Sequence, residues 1–297
     1  MYPRAFHYHR ASSLKEAAAM LAQLGDDAKL LAGGQSLIPL MKLRFANPAH
    51  LVDLNFVSGT SYINEENGIL RFGALTRHAE IEASAAAVTI PILHDCAAGI
   101  ADVQVRNRGT IGGSLAEADP SGDWATVLFT LAAEVHCLGP KGERTVSLTD
   151  FIKDAYTTDL AQDELVREVA VKIPPKGSGG AYLAFKRSAP VYPTASAAVQ
   201  LTMDGDVCQD AAIALGCVGL IPINVKDGVS VMRGQPLTKK TVALAADAAR
   251  AAADPQSDTR GSADYKRTLV AALVKRAIDI AVHRARGEQV AASHIYA

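Results

Sequence analysis

The sequence predicts an α+β protein in two parts: strands alternating with short helices, then a smaller unit in which a sheet is backed by helices. Three observations carry this. Over residues 1–174, short strand-like apolar runs alternate with short helical ones. The stretch "KIPPKGSGGAY", Lys172 to Tyr182, sets two prolines ahead of three glycines, and prolines extend neither strand nor helix. Beyond it, a hairpin pattern is followed by two long helical stretches. At 297 residues the chain exceeds the usual single-domain size, so two domains are expected, 1–174 and 180–288, each burying its own core.

The elements follow in order. Ser13 is placed to cap a first helix with Glu16 completing a capping box; Leu14, Ala17, Ala18 and Leu21 supply its apolar face and Gly25 ends it. "AKLLAGG" reads as a strand entering a glycine turn, and "HLVDLN", "ILRFGAL" and "AEVHCLG" as further strands. "TRHAEIEAS", "IPILHDCAAGIA" and "DWATVLFTLAAEV" read as helical pieces, with Asp123 a suitable cap for the last. After the proline pair, "SAAVQLTMDGDVCQDAAIALGCVG" is a hairpin turning around Asp204-Gly205-Asp206. Helices are expected from about Lys239 to Ala253 and from Ala263 to Arg286, the latter apolar at Leu269, Leu273, Ala277 and Ile280.

Composition excludes several classes. The formal net charge is −1, from 30 basic and 31 acidic residues interspersed along the chain, so the basic field that nucleic acid requires is missing. No run approaches the roughly 18 apolar residues of a membrane span, and "MYPRAFHYHR" has no signal-peptide core, so a cytoplasmic location is expected. Cys96, Cys137, Cys208 and Cys217 are scattered without C-x-x-C spacing, which argues against a metal knuckle or a redox dithiol. His7 and His9 alternate on one strand face with no third ligand nearby in sequence, and are read as solvent-facing or structural.

Two passages carry the chemistry. "LLAGGQSLIPLMKLRF", Leu30 to Phe45, and "RGTIGGSLAEADPSGDW", Arg108 to Trp124, each run from apolar residues into a glycine pair and a serine nearby. Glycine pairs let backbone N–H groups approach a ligand without a Cβ between, and such concave amide surfaces favour anions. Ser36, Thr110 and Ser114 add hydroxyls beside Gly33-Gly34 and Gly112-Gly113, so two such loops could hold two linked phosphates; either pair alone serves equally well as a tight turn. Asp119 and Asp123 could hydrogen-bond ribose or ribityl hydroxyls, or simply form a turn and a helix cap. No G-x-x-x-x-G-K-[ST] is present, and no G-x-G-x-x-G follows a strand.

"AGGQSLIPLMKLR" followed by "NRGTIGGSLAEADPSGD" closely resembles the two flavin-binding signatures of the FAD-binding medium subunits of molybdenum hydroxylases, the carbon monoxide dehydrogenase, xanthine dehydrogenase and aldehyde oxidoreductase group. The resemblance runs nearly end to end, through "YLAFKRSAPVYPTASAA" to "DTRGSADYKRTLVAALVKRAI". It implies a two-part FAD-binding domain of the PCMH/vanillyl-alcohol-oxidase type followed by the C-terminal domain of these flavoproteins. It further implies that Ala32, Gly33, Gly34, Gln35, Ser36 and Leu37, with Thr110, Ile111, Gly112, Gly113 and Ser114, wrap the FAD pyrophosphate. Asp119 and Asp123 would meet the polyol and adenosine side, Tyr192 would cover the isoalloxazine ring, and Lys186 would contact its carbonyl end. Ser114 stands where asparagine is common and Glu117 precedes the aspartate, departures that bear on ribityl contacts. The dispersed cysteines exclude the benzoyl-CoA reductase branch, and no histidine or cysteine lies within either glycine motif, which favours noncovalent FAD.

By the same resemblance, the chain is an electron-transfer subunit of a heterotrimer, expected as a dimer of heterotrimers. A large molybdopterin-binding subunit oxidises substrate, a small subunit passes electrons through [2Fe-2S] clusters, and this chain's FAD collects them for an external acceptor. No catalytic residue and no metal are expected on this chain. A self-sufficient flavin oxidase would need a base over the flavin, and only Tyr192 and Lys186 offer one; a non-catalytic nucleotide-binding module would need the two loops alone.

Overall fold

A computed structural model of the chain describes residues 2–188, 190–292 and 294–296. It opens on a small parallel sheet: β1 (His7–Arg10), α1 (Leu14–Leu24), β2 (Ala28–Leu31), α2 (Leu37–Leu43) and β3 (His50–Asp53), with β3 between β1 and β2. The Ser13 hydroxyl caps α1 by accepting from Glu16 N at 3.1 Å, and Gly25 closes the helix at φ 69°. The return half of the capping box is displaced by one residue, because the Glu16 carboxylate accepts from Ser12 N at 2.7 Å. His7 and His9 do find a third histidine. His50 on the neighbouring strand stacks on His7 at 5.2 Å and lies 3.0 Å, Nδ1 to Nε2, from His9, but no His, Cys, Asp or Glu group among the described residues is arranged to hold a metal.

A five-stranded antiparallel sheet follows, built from β4 (Ile63–Glu66) and β5 (Ile69–Gly73), then β6 (Glu134–Gly139) and β7 (Gly142–Ser147), and finally β10 (Leu165–Lys172), in the order β4-β5-β10-β6-β7. Between β5 and β6 run α3 (His78–Glu82), α4 (Ala85–Thr89), α5 (Pro91–Gly99), α6 (Val103–Arg106), α7 (Ile111–Glu117) and α8 (Asp123–Thr130). Between β7 and β10 lie α9 (Leu148–Phe151) and the hairpin of β8 (Ile152–Asp154) and β9 (Thr157–Thr158). The expectation that Asp123 caps α8 is corrected: Gly122 is the N-cap, and Asp123 is the first helical residue, buried and bonded elsewhere.

The C-terminal sheet comprises β11 (Ser178–Lys186), β12 (Ala195–Asp204), β13 (Val207–Gly216), β14 (Ile223–Asn224) and β15 (Ile295–Tyr296), in the order β14-β13-β12-β11-β15. Helices α10 (Lys226–Met232), α11 (Lys239–Ala252) and α12 (Ala263–Ala285) complete this part. Two of the glycines after Pro174-Pro175 belong to a strand and not to a joint. Gly179 and Gly180 pair with Leu201 and Gln200 of β12, so the turning segment lies between Lys172 and Ser178.

Both faces of this sheet are buried, and strand alternation decides what each residue meets. Ala181, Leu183, Ala197 and Val199 join the core that holds the buried side chains of α11 and α12. Tyr182, Ala184, Ala198 and Ala214 point the other way, into the core of the N-terminal part, where α5 lies on β11 and α8 on β12 and β13. No helix among the described residues is long and apolar enough to cross a membrane.

Candidate functional site

A cleft of about 990 Å³ opens where the N-terminal elements meet the C-terminal sheet. Ala32 to Leu37, Thr110, Gly112 to Ser114, Asp119, Asp123, Lys186 and Tyr192 all line it. Ile111 does not; it is fully buried in the core.

The first passage leaves β2 and turns at Gly34, whose φ of 73° suits glycine, before entering α2. The amides of Gly33, Gly34, Gln35 and Ser36 meet no acceptor among the described residues, while the carbonyls of Gly34 and Ser36 receive the first bonds of α2. The Ser36 hydroxyl makes no cap to that helix. Adjacent unpaired N–H groups on a concave wall require water or an anion. A Cβ on Gly33 would lie 2.3 Å from Arg108 O and 2.8 Å from Gly109 Cα, so the two glycine passages touch through their backbones.

The second passage is built differently from expectation. It is the start of α7 and not an open loop, and its amides are already used: Ile111 N donates to Thr76 O at 3.1 Å, Gly112 N to Ala74 O at 2.9 Å and Gly113 N to the Thr110 hydroxyl at 3.1 Å. It presents to the cleft a close backbone and the Ser114 side chain, not free amides.

Asp119 accepts from Ser121 N at 2.8 Å, the turn that sequence allowed. Asp123 accepts from the Tyr182 hydroxyl at 2.6 Å across the seam between the two parts, and burial together with the Asp123 charge raises the Tyr182 phenol well above its ordinary value. Lys186 is not solvated. It is 1% exposed, and its ammonium donates to Gly99 O. Tyr192 stands on the rim, close to half exposed, with the Arg260 guanidinium 6.0 Å from its ring centre; desolvation of the phenol and then the Asp119 charge raise its pKa.

A family model described as the FAD binding domain in molybdopterin dehydrogenase matches residues 4–176, and one described as the CO dehydrogenase flavoprotein C-terminal domain matches residues 180–281. The chain belongs to the family of FAD-binding medium subunits of molybdenum hydroxylases. It is 40% identical to the carbon monoxide dehydrogenase medium chain of Afipia carboxidovorans, over 96% of this chain and 100% of that one. It is 38% identical to the 6-hydroxypseudooxynicotine dehydrogenase complex subunit alpha of Paenarthrobacter nicotinovorans, over 99% and 100%. A solved carbon monoxide dehydrogenase from Hydrogenophaga pseudoflava, lacking the Mo-pyranopterin moiety of its cofactor, superposes with a TM-score of 0.93 at 40% identity, over 96% of this chain and 99% of that one. This family member is therefore an oxidoreductase flavoprotein subunit with FAD as its cofactor.

The flavoprotein fixes its cleft with residues that sequence reasoning did not single out. Asn55 Nδ2 donates to Ala32 O at 2.9 Å, Arg77 Nη2 donates to Asn55 Oδ1 at 2.6 Å, and Arg77 Nη1 donates to Arg108 O, which ties the first passage to the second. Asp53 anchors this chain of bonds by accepting from Tyr8 OH and Asn55 N at 2.6 and 2.8 Å. Arg260 reaches from ahead of α12 to Ser121 Oγ at 3.3 Å and Pro193 O at 3.4 Å, bracing both rims. The only local signal was the polar "DLN" at the end of β3; the partners lie far away in sequence.

Proposed function

We propose that the chain is the electron-transfer subunit of a heterotrimeric molybdenum hydroxylase, accepting electrons from a small [2Fe-2S] subunit and passing them to an external acceptor, with FAD bound noncovalently. The observation that carries this reading is the run of unpaired amides at Gly33 to Ser36 opening on a cleft bounded by both parts of the chain. The donor chemistry fits the group. Ala32 to Leu37 hold the pyrophosphate with amides; Thr110, Gly112, Gly113 and Ser114 close the other side, held in place by Ile111 in the core. Asp119 and Asp123 take the polyol and adenosine hydroxyls, Lys186 the carbonyl end of the ring, and Tyr192 covers it. FAD supplies electron uptake one at a time and release singly or in pairs. The chain's own task is to orient the cofactor and exclude water.

In this reading residues 1–174 and 180–288 act as two units around the cofactor. The partners are a large molybdopterin-binding subunit and the small [2Fe-2S] subunit, in a cytoplasmic dimer of heterotrimers. Two relatives of nearly equal identity are named for different substrates, carbon monoxide and 6-hydroxypseudooxynicotine, which supports a substrate site on another chain.

The purified full-length chain should be yellow, with one FAD per chain released intact by acid. Flavin that stays on the denatured polypeptide contradicts noncovalent binding, and a chain that neither holds nor takes up FAD contradicts the reading. Tyr192→Ala should keep its flavin while the midpoint potential and the rate of reoxidation by oxygen change, because a rim ring governs access more than anchoring. If stopped-flow and potentiometry show neither change, Tyr192 does not cover the ring.

A further inference from the structure

His78 opens α3 on the wall of the cleft, 5% exposed, with its ring over the backbone of Gly109. Trp124 Nε1 lies 3.0 Å from its Nδ1. An indole nitrogen only donates, so Nδ1 is the acceptor and the imidazole proton sits on Nε2. Burial, then the charges of Arg77 and Arg106, push the imidazole down to about 3, which leaves it neutral at physiological pH. Nε2 meets no partner among the described residues. The nitrogen is reached from the cleft, so its N–H points where water or an acceptor atom of a bound ligand must meet it. The same wall carries the apolar Leu75, Ile100 and Val105, which offer none.

We infer that His78 is an FAD-binding residue, its Nε2–H a fixed neutral donor to an acceptor atom of the cofactor, and that Trp124 is the positioning residue that dictates which nitrogen carries the proton. The inference rests on FAD occupying the cleft. Neutrality separates His78 from Lys186: it orients an acceptor without adding charge to the site. The tryptophan bond removes the alternative tautomer, in which Nε2 would repel an acceptor.

Asparagine and glutamine divide the two nitrogens between them. His78→Asn keeps a carbonyl near the Nδ1 position for Trp124 but loses the far donor; His78→Gln keeps an N–H near the Nε2 position but leaves Trp124 unpaired. FAD is titrated into the flavin-stripped full-length chain, and thermal unfolding is followed without FAD. His78→Asn should melt near wild type and bind FAD about tenfold more weakly, the effect of one hydrogen bond. His78→Gln should melt lower and bind FAD within about threefold of wild type. Wild-type affinity in His78→Asn, or an equal loss in both variants, overturns the inference. Should either variant fail to fold, nitrogen-15 spectra of the wild-type chain decide: FAD must move the Nε2 resonance and spare Nδ1, and an unmoved Nε2 overturns it. A wild-type chain that binds no FAD sinks the parent reading, and this inference with it, and is distinguished by that titration alone.

Discussion

Arg284→Met should cost the folded chain about 3–5 kcal/mol and lower its melting temperature on the order of 10 °C. Arg284 and Asp95 form a two-pronged pair, Nη1 to Oδ2 at 2.6 Å and Nη2 to Oδ1 at 2.9 Å, with side-chain exposures of 7% and 2%. The pair joins α12 to α5, and its spare valences are also used: Arg284 donates to Gly180 O at 2.6 Å, and Asp95 accepts from Tyr182 N at 3.1 Å. Removing the guanidinium leaves a carboxylate buried without a counter-charge, which is why the loss exceeds the net worth of the pair. The double variant Asp95→Asn with Arg284→Met should therefore recover a large part of the stability, since the stranded charge is gone. Denaturant unfolding of the two variants tests this. A single variant within about 1 kcal/mol of wild type, or a double variant no better than the single, contradicts it. Flavin affinity should fall with the single variant, because Tyr182 and Lys186 reach the seam on the strand that this pair secures.

What could be read from sequence is what local chemistry decides. The end of β2, the glycine turn and the bounds of α11 and α12 are set by a few adjacent residues, and these elements sit within about a residue of expectation. The second glycine passage departs from the expected open loop for the opposite reason. Glycines disfavour helix, yet the carbonyls of Ala74 and Thr76 from a distant turn hold the first amides of α7, and tertiary bonding overrides propensity. Asp123 looked like a cap because capping is the commonest local use of aspartate at a helix start; its partner Tyr182 is in the other half of the chain. A lysine ending a strand reads as solvated, and only the Gly99 carbonyl, far earlier in sequence, accounts for the burial of Lys186. His78 falls in the same class, since "TRHAEIEAS" carries a helix signal and nothing that announces Trp124.

Gly33→Ala should lower FAD affinity by at least about a hundredfold and destabilise the chain by about 1–3 kcal/mol. A methyl there would meet Arg108 O at 2.3 Å, Gly109 Cα at 2.8 Å and Arg108 C at 2.9 Å, all main-chain atoms that cannot swing aside as a side chain can. The two glycine passages must therefore part, and three things move together: the unpaired amides of Gly33 to Ser36, the Arg77 bond to Arg108 O, and the Gly109 backbone under His78. Crowding is the whole effect, because Gly33 does not occupy the left-handed region. Gly59→Ala provides the converse control, with φ 70° and nothing within 4 Å of the added methyl, so it carries backbone strain without crowding. That variant should lose about 1 kcal/mol and keep its flavin. Titration of FAD into both flavin-stripped chains, alongside their unfolding curves, separates the two effects. If Gly33→Ala holds FAD as tightly as wild type, the contact between the passages is not what shapes the cleft, and the unpaired amides serve some other ligand or water alone.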